Sequence, residues 1–308
     1  MQHPSRLAYL TYPLFMGCFM GLSWGCLRRG LDPEIWIPAL TVTNFLVILA
    51  LEQLFPRRPA MNTLRDWQSI NDALHGVLTG LLRPVGTALG VVVLAGLNEL
   101  RLGAGAWTWW PTGWHLVPQL VLAHLVVSFA SYWVHRSLHE FDRLWWFHAV
   151  HHDTGQVHVL KSGRFHFVDE IYSAVVTPLP LLLLGVPTEV VVLRSMWSVF
   201  NGSLGHANTQ QRFPSWFHYV ISNVDLHNLH HSSDRRYQDS NYTGMPIWDV
   251  LFGTFSHPDR CHSETFGLAD PYMPRNFFAQ LWFPFRAQLA APVASAGAPA
   301  EDLQGGAR

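Results

Sequence analysis

The chain carries 18 histidines, and twelve of them fall between His135 and His231. Eight form three clusters: His135-x-x-x-His139, His148-x-x-His151-His152 and His227-x-x-His230-His231. Residues three and four apart on a helix share a face, so each cluster would aim two or three imidazoles at one point. Neutral imidazole is a ligand for zinc, copper, iron and nickel. A single catalytic zinc needs only three protein ligands, so eight candidates favour a binuclear centre. No carboxylate stands at Glu-x-x-His spacing to a cluster histidine, unlike the mixed ligand sets of soluble di-iron bundles. The zinc-protease pattern H-E-x-x-H is also absent, because Arg143 occupies its last position after His139-Glu140.

Further candidates stand around these clusters. His206, in Gly205–Asn208, is a ninth ligand candidate whose alternative is a helix-end hydrogen bond. His166 is a candidate additional ligand or a donor behind one, and His158 is weaker. His75 and His124 lie inside apolar stretches and are read as bonding a carbonyl on a neighbouring helix. A metal-bound imidazole usually gives its outer N–H to a carboxylate or carbonyl, which makes Asp153 and Asp225 candidate acceptors. Asp225 is equally a helix N-cap. Trp248-Asp249 and Phe252-Gly253 look like a structural clamp.

The elements that must position these residues are apolar. Hydrophobic residues make up 49% of the 308-residue chain and charged ones 13%, against about 25% charged in soluble domains. Lys161 is the only lysine. This is the profile of a membrane protein, and a net charge of −1 argues against a nucleic-acid partner. Three cysteines without a C-x-x-C pair indicate neither a disulfide framework nor a thiolate metal site.

Four spans are expected, at residues 7–27, 35–55, 73–97 and 114–134, each near the roughly 20 residues a bilayer requires. The first reads as a retained span, not a cleaved signal. The stretch 57–71, with Arg65 and Asp66, is expected along the interface. The linker 98–113 carries Trp107, Trp109 and Trp110, as an interfacial aromatic belt would. Residues 171–193 are apolar but contain Pro178, Pro180 and Pro187, which predicts two half-length helices in a hairpin. Beyond Leu289 the chain is rich in Ala, Gly and Pro and reads as a disordered tail. The expected fold class is an all-α integral membrane helical bundle of about four transmembrane helices plus a re-entrant or short helical hairpin, capped by a histidine-rich helical region. The expected domains are 1–113 with the N-terminal helices, 114–285 as the catalytic domain and 286–308 as the tail. Pairing the spans into two hairpins gathers Arg57, Arg65 and His135–Arg164 on one side. Arg136, Arg143, Lys161, Arg164, Arg235 and Arg236 make that side cytoplasmic by the positive-inside tendency.

With these residues in hand, the chain resembles the fatty acid hydroxylase superfamily, also called the sterol desaturase family. SYWVHRSLH (Ser131–His139), WFHAVHHD (Trp146–Asp153) and the run Leu226–Phe255 carry the resemblance, with Gly163–His166 and Gly205–Asn208 as intermediate elements. It covers about residues 114–285. Phe167 stands where the family commonly has proline, and Ser128 where members often carry an acidic residue. The resemblance implies a membrane-embedded di-iron oxygenase. On that reading His135, His139, His148, His151, His152, His206, His227, His230 and His231 divide between two iron ions. The compact chain looks like bacterial members, which implies a multi-pass protein of the bacterial inner membrane acting on an acyl lipid or polyisoprenoid.

The implied reaction is hydroxylation of an unactivated C–H of a lipid with O2, the substrate entering from the bilayer between the spans. No G-x-G-x-x-G follows a strand, no cysteine set suits an iron–sulfur cluster, and no His-Pro-Gly-Gly segment occurs. The electrons are therefore expected from a separate ferredoxin or cytochrome-type donor. Desaturation at the same site is the nearest rival. A zinc transporter would place its ligands near mid-membrane, and a zinc-dependent lipid hydrolase lacks a general base at motif spacing.

Overall fold

A computed structural model describes residues 7–61, 67–101, 109–153, 155–261, 265–270 and 272–290. Of the tail expected at 286–308, residues 286–290 belong to the helix Phe277–Ala290, and the rest lies outside the described residues, as do Arg65, Asp66 and Trp107. Twelve α-helices are described: α1 (Ala8–Arg28), α2 (Pro33–Leu54), α3 (Trp67–Arg101), α4 (Leu116–Glu140), α5 (Asp142–His152), α6 (Phe167–Val176), α7 (Leu179–Leu184), α8 (Thr188–His206), α9 (Val224–His230), α10 (Arg235–Gln238), α11 (Ile247–Phe252) and α12 (Phe277–Ala290). The described residues form no strand ladder, only two isolated bridges. The fold is an all-α bundle with five stretches long and apolar enough to cross a membrane.

The first two helices make a hairpin with a local cause at its turn. Gly30 takes a left-handed conformation at φ 62°. Asp32 then accepts from the Glu34 N–H, and Pro33 opens α2 where its missing N–H costs nothing. Leu14, Leu22, Val42, Leu46, Leu81 and Val92 point outward and exposed. In water that would be a liability; in hydrocarbon it is the required surface of a spanning helix.

Polar pairs join these helices to α8. Tyr12 donates to Asn201 Oδ1 at 2.6 Å, and the Asn44 amide donates to Ser203 Oγ at 2.9 Å. Such interhelical bonds contribute on average ~0.6 kcal/mol each in a membrane. Phe15, Phe19, Ile48, Met196, Phe200 and Leu204 fill the space between α1, α2 and α8.

Helix α3 begins at Trp67, earlier than the sequence suggested, so residues 67–71 join it and do not lie as a separate interfacial stretch. It packs along α6 and the short turn Val159–Gly163. The approach depends on missing side chains: a Cβ on Gly86 would lie 2.7 Å from the Ala174 Cβ, and one on Gly90 3.1 Å from the Val175 carbonyl oxygen. Gly86 and Gly90 are four apart, the small-x-x-x-small spacing that lets membrane helices touch.

The proline-rich stretch departs from the expected pair of half-helices. Helices α6 and α7 follow each other with a break at Thr177–Pro178, and together they are long enough to span. The reversal comes later, at Gly185 with φ 69°, and α8 returns as a full 19-residue helix behind Pro187. The prolines sit at helix starts, where no N–H is missed, so they divide the chain less than their number implied.

These connections bring the start of α1 and the ends of α2, α4 and α8 to one face. The Arg212 N–H donates to the Ala8 carbonyl and the Arg57 N–H to the Asn208 carbonyl. Buried Glu52 at the end of α2 accepts from the backbone N–H groups of Val159 and Asn208.

Candidate metal centre

Helix α4 runs on through its last turns to Glu140, so His135 and His139 sit on one face at its end. The chain bends at Phe141 and re-enters as α5, which carries His148, His151 and His152 in its last two turns. Helix α8 ends on His206. Helix α9 is only seven residues and starts because the Asn223 side chain accepts from the N–H groups of Asp225 and Leu226. It presents His227 and His230, with His231 at its end.

Eight of these side chains fall into two groups. His135, His139, His148 and His230 form one, and His151, His206, His227 and His231 the other. Within each group the ligand atoms lie within 4.8 Å of one another. The duplicated H-x-x-H-H motifs are thus split between the groups. His148 joins the first group and His151 the second, while His230 joins the first and His227 and His231 the second. His152 stands between them, its ring centroid 4.6 Å from both His230 and His231 and 4.9 Å from His139. All nine histidines singled out from the sequence are therefore at one place.

Their orientation is fixed from behind. His148 Nδ1 donates to Asp169 Oδ2 at 2.7 Å, between two side chains that are each 1% exposed. His151 Nδ1 donates to the Arg164 carbonyl at 2.9 Å, and His206 Nδ1 to the Gly202 carbonyl at 2.9 Å. Asn241 uses its amide N–H on the Asp239 carbonyl, so its Oδ1 accepts from His135 Nδ1 at 3.1 Å. With Nδ1 carrying the proton, each of these neutral rings has a lone pair on Nε2.

The inward nitrogens then face one another at close range. His151 Nε2 and His206 Nε2 are 3.4 Å apart, and His206 Nε2 and His227 Nε2 are 2.7 Å apart. In the first group, His139 Nε2 and His148 Nε2 are buried without a partner, as are both nitrogens of His152. Burial pushes His206 and His230 down to about 3, and holds His151, His152, His227 and His231 well below the usual imidazole range. Protonation is thus disfavoured, and converging lone pairs are stabilised by a bound cation. No carboxylate belongs to either group, so the donor set is all imidazole and suits iron, zinc, copper or nickel.

The remaining candidates lie elsewhere, each for a visible reason. His166 caps α6, accepting from the Val168 N–H through Nδ1, and its Nε2 meets the Leu281 carbonyl. Both nitrogens are used, and it belongs to neither group. Asp153 faces Arg164 at 3.6 Å, not a cluster histidine. Asp225 pairs with Arg57 at 2.5 Å and is not the cap of α9, a role taken by Asn223. The carboxylate behind a histidine is Asp169, which sequence reading missed because it sits 21 residues from His148 on a helix of its own. His158 Nε2 lies 3.2 Å from Asp72. His75 meets the Phe165 carbonyl and Gln280 Oε1, in line with its expected role. His124 does not, since neither of its nitrogens has a partner.

Two supports surround the centre. Fully buried Arg164 donates to the Val150 carbonyl, Asp72 Oδ1 and Gln280 Oε1, pinning the end of α5 to α3 and α12. Asp249 accepts from the N–H groups of Asn241 and Tyr242 and from the Thr254 hydroxyl, which fixes the loop holding His135. The burial of Arg164 and Lys161 removes both from the cationic surface expected on this side. Arg143, Arg235 and Arg236 remain exposed there.

The chain is similar in sequence to known proteins. Residues 120–254 match the fatty acid hydroxylase family. The chain is 32% identical over 254 residues to the ornithine lipid hydroxylase OlsE of Rhizobium tropici, covering 82% of this chain and 76% of that one. It is 30% identical over 152 residues to the alkylglycerol monooxygenase of Danio rerio, 49% of this chain but only 31% of that longer protein. It is 30% identical over 157 residues to the very-long-chain aldehyde decarbonylase GL1-6 of Oryza sativa subsp. indica, covering 47% of this chain and 24% of that one. No solved structure matches the chain. The chain belongs to the fatty acid hydroxylase family, an iron-dependent branch of the sterol desaturase superfamily.

Proposed function

We propose that this protein is a membrane lipid hydroxylase whose two histidine groups each hold one iron. His135, His139, His148 and His230 serve one ion, His151, His206, His227 and His231 the other, and His152 completes the set from between them. The observation that carries this reading is the convergence of Nε2 lone pairs in two groups, with Nδ1 tied back to Asp169, Asn241, Arg164 and Gly202. The similarity to an ornithine lipid hydroxylase and to an alkylglycerol monooxygenase supports a lipid substrate.

Bound iron supplies O2 activation and oxidation of an unactivated C–H bond. One oxygen atom enters the substrate and the other leaves as water, with two electrons drawn from a separate donor of ferredoxin or cytochrome type and two protons from solvent. The chain's own residues hold the ligand rings in place and keep water from them. Trp145 closes over the first group, its ring 5.2 Å from His139 and 5.4 Å from His152, with its N–H donated to Tyr272. A fixed dry site of this kind positions one carbon of a long chain and suppresses side reactions. Exposed Arg143, Arg235 and Arg236 on the histidine side would receive an acidic donor by electrostatic steering. On the positive-inside tendency that side is cytoplasmic, in a bacterial inner membrane.

The test is expression in a bacterial host under isotopically heavy O2, followed by mass spectrometry of the extracted lipids. A lipid gaining one labelled oxygen, absent with His151→Ala, is expected. A new double bond without label would make the protein a desaturase. Lipid cleavage that persists without O2 would make it a hydrolase.

A further inference from the structure

Helices α4 and α8 both run towards the histidines, and both carry unsatisfied polar groups far from them. His124 on α4 is 9% exposed, and neither of its nitrogens has a partner. The Trp197 ring on α8 lies edge-on to it at 5.8 Å, with its own indole N–H buried and unpaired. One turn earlier on the same face of α8, Arg194 acts electrostatically on His124. Arg194 has no ion-pair or hydrogen-bond partner among the described residues, and its Nε is buried. Its other charged neighbour is Arg83, already paired with Glu170 at 2.9 Å. Gly244, at φ 70°, approaches the same place: a Cβ there would stand 3.0 Å from the Ser128 Cβ and 3.6 Å and 3.7 Å from two atoms of the His124 ring. The hydroxyl of the preceding Thr243 is buried and unpaired as well.

The chemistry of this set is one-sided. Arginine and tryptophan only donate, and a neutral histidine adds one donor beside one acceptor, so donors outnumber acceptors. An uncompensated guanidinium inside a membrane bundle marks a ligand pathway by default. Oxygen anions satisfy such a set, and guanidinium pairs with carboxylate and phosphate in fork geometry. The depth matches on the two helices. Arg194 precedes His206 by twelve residues and His124 precedes His135 by eleven, which places both about 17 Å from the metal centre along their axes.

Resting on the lipid hydroxylase reading, we propose that Arg194, His124 and Trp197 bind the phosphate or carboxylate of the lipid substrate. The acyl chain then runs along α4 and α8 towards the histidines. Oxidation falls on a carbon remote from the anionic group, because the two sites are separated by most of the length of an acyl chain.

The test has one arm that needs no turnover. Full-length protein in detergent is exposed to dioleoyl phosphatidylglycerol or to dioleoylglycerol, which lacks the phosphate, and retained lipid is read by native mass spectrometry. The protein should retain the anionic lipid about tenfold better, and Arg194→Gln should abolish the preference. Arg194→Lys should keep part of it. Trp197→Phe, which removes one N–H and little volume, should weaken it several-fold. An unchanged preference in both Arg194→Gln and Trp197→Phe overturns the site. The second arm measures hydroxylation: Arg194→Gln should raise KM about tenfold with metal content and kcat kept. A wild-type KM would make the bound anion a structural lipid's phosphate and overturn the substrate role. Retention of anionic lipid by a protein with no oxygenase activity would leave the site standing and sink the hydroxylase reading instead.

Discussion

Asp169 offers the sharpest separation of the two metal groups. Its Oδ2 accepts from His148 Nδ1 at 2.7 Å, while Oδ1 accepts from the Ser173 hydroxyl at 3.2 Å. Only the first group contains His148; the second depends on the Arg164 and Gly202 carbonyls. A hydrogen bond to a buried carboxylate contributes about 1.5–3 kcal/mol, against about 1 kcal/mol for a neutral amide acceptor. Asp169→Asn should therefore weaken one of two metals by ~1.4 kcal/mol, which is about tenfold. Asp169→Ala also strands the Nδ1–H, and its loss should reach the 10–100-fold range typical of residues behind a ligand. The assay is competition with an iron chelator, following metal released per chain. Release should become biphasic, half of the metal leaving at about tenfold lower chelator and the other half as in the wild type. A uniform shift of both halves, or none, would refute the division into groups.

Other consequences follow from the same geometry. His151→Ala and His230→Ala should each abolish oxygen insertion while the protein still inserts in membrane; full turnover by either would displace it from the ligand set. Arg164→Leu leaves buried Asp72 without its ion pair at 2.7 Å, so thermal unfolding in detergent should show about 3–5 kcal/mol lost. Gly86→Ala forces a Cβ to within 2.7 Å of Ala174 and should cost about 1–3 kcal/mol by parting α3 from α6; an unchanged melt would show that the helices do not touch there. Burial pushes the Lys161 ammonium down to about 7 from 10.5, against the pull of Asp72. Between those values the unfolded chain holds a proton the native chain lacks, so stability should rise with pH, by at most ~1.4 kcal/mol per unit. Lys161→Met should flatten that slope, and a slope unchanged by the substitution would assign it to other groups.

The sequence made the centre legible because metal ligation requires a residue type that is scarce and periodic. Histidines three and four apart were enough to bring eight candidates together, since α4, α5 and α9 preserve that spacing, and His206 joins them from the end of α8. Span count was nearly as legible, because lipid exposure demands long apolar runs. Less was visible where a residue's role depends on a distant partner. Asp153 and Asp225 stood next to clusters and drew attention, but Arg164 and Arg57 claim them. Asp169 had no local mark, since α6 reaches α5 through tertiary packing against α3 and α4. The prolines of 178–187 were misjudged for a related reason. Their type signals a break, but whether the break falls inside a helix or at its first turn depends on one or two residues of register. His124 was expected to bond a carbonyl on a neighbouring helix, and its lack of a partner shows only in the packed bundle.

The most direct measurement is the metal itself. Protein purified in detergent from cells grown on the Mössbauer-active isotope of iron should be examined by elemental analysis and Mössbauer spectroscopy. Two irons per chain, magnetically coupled, are the expected result. Stoichiometric zinc from iron-replete cells, with no O2 consumed on reduction, would contradict it.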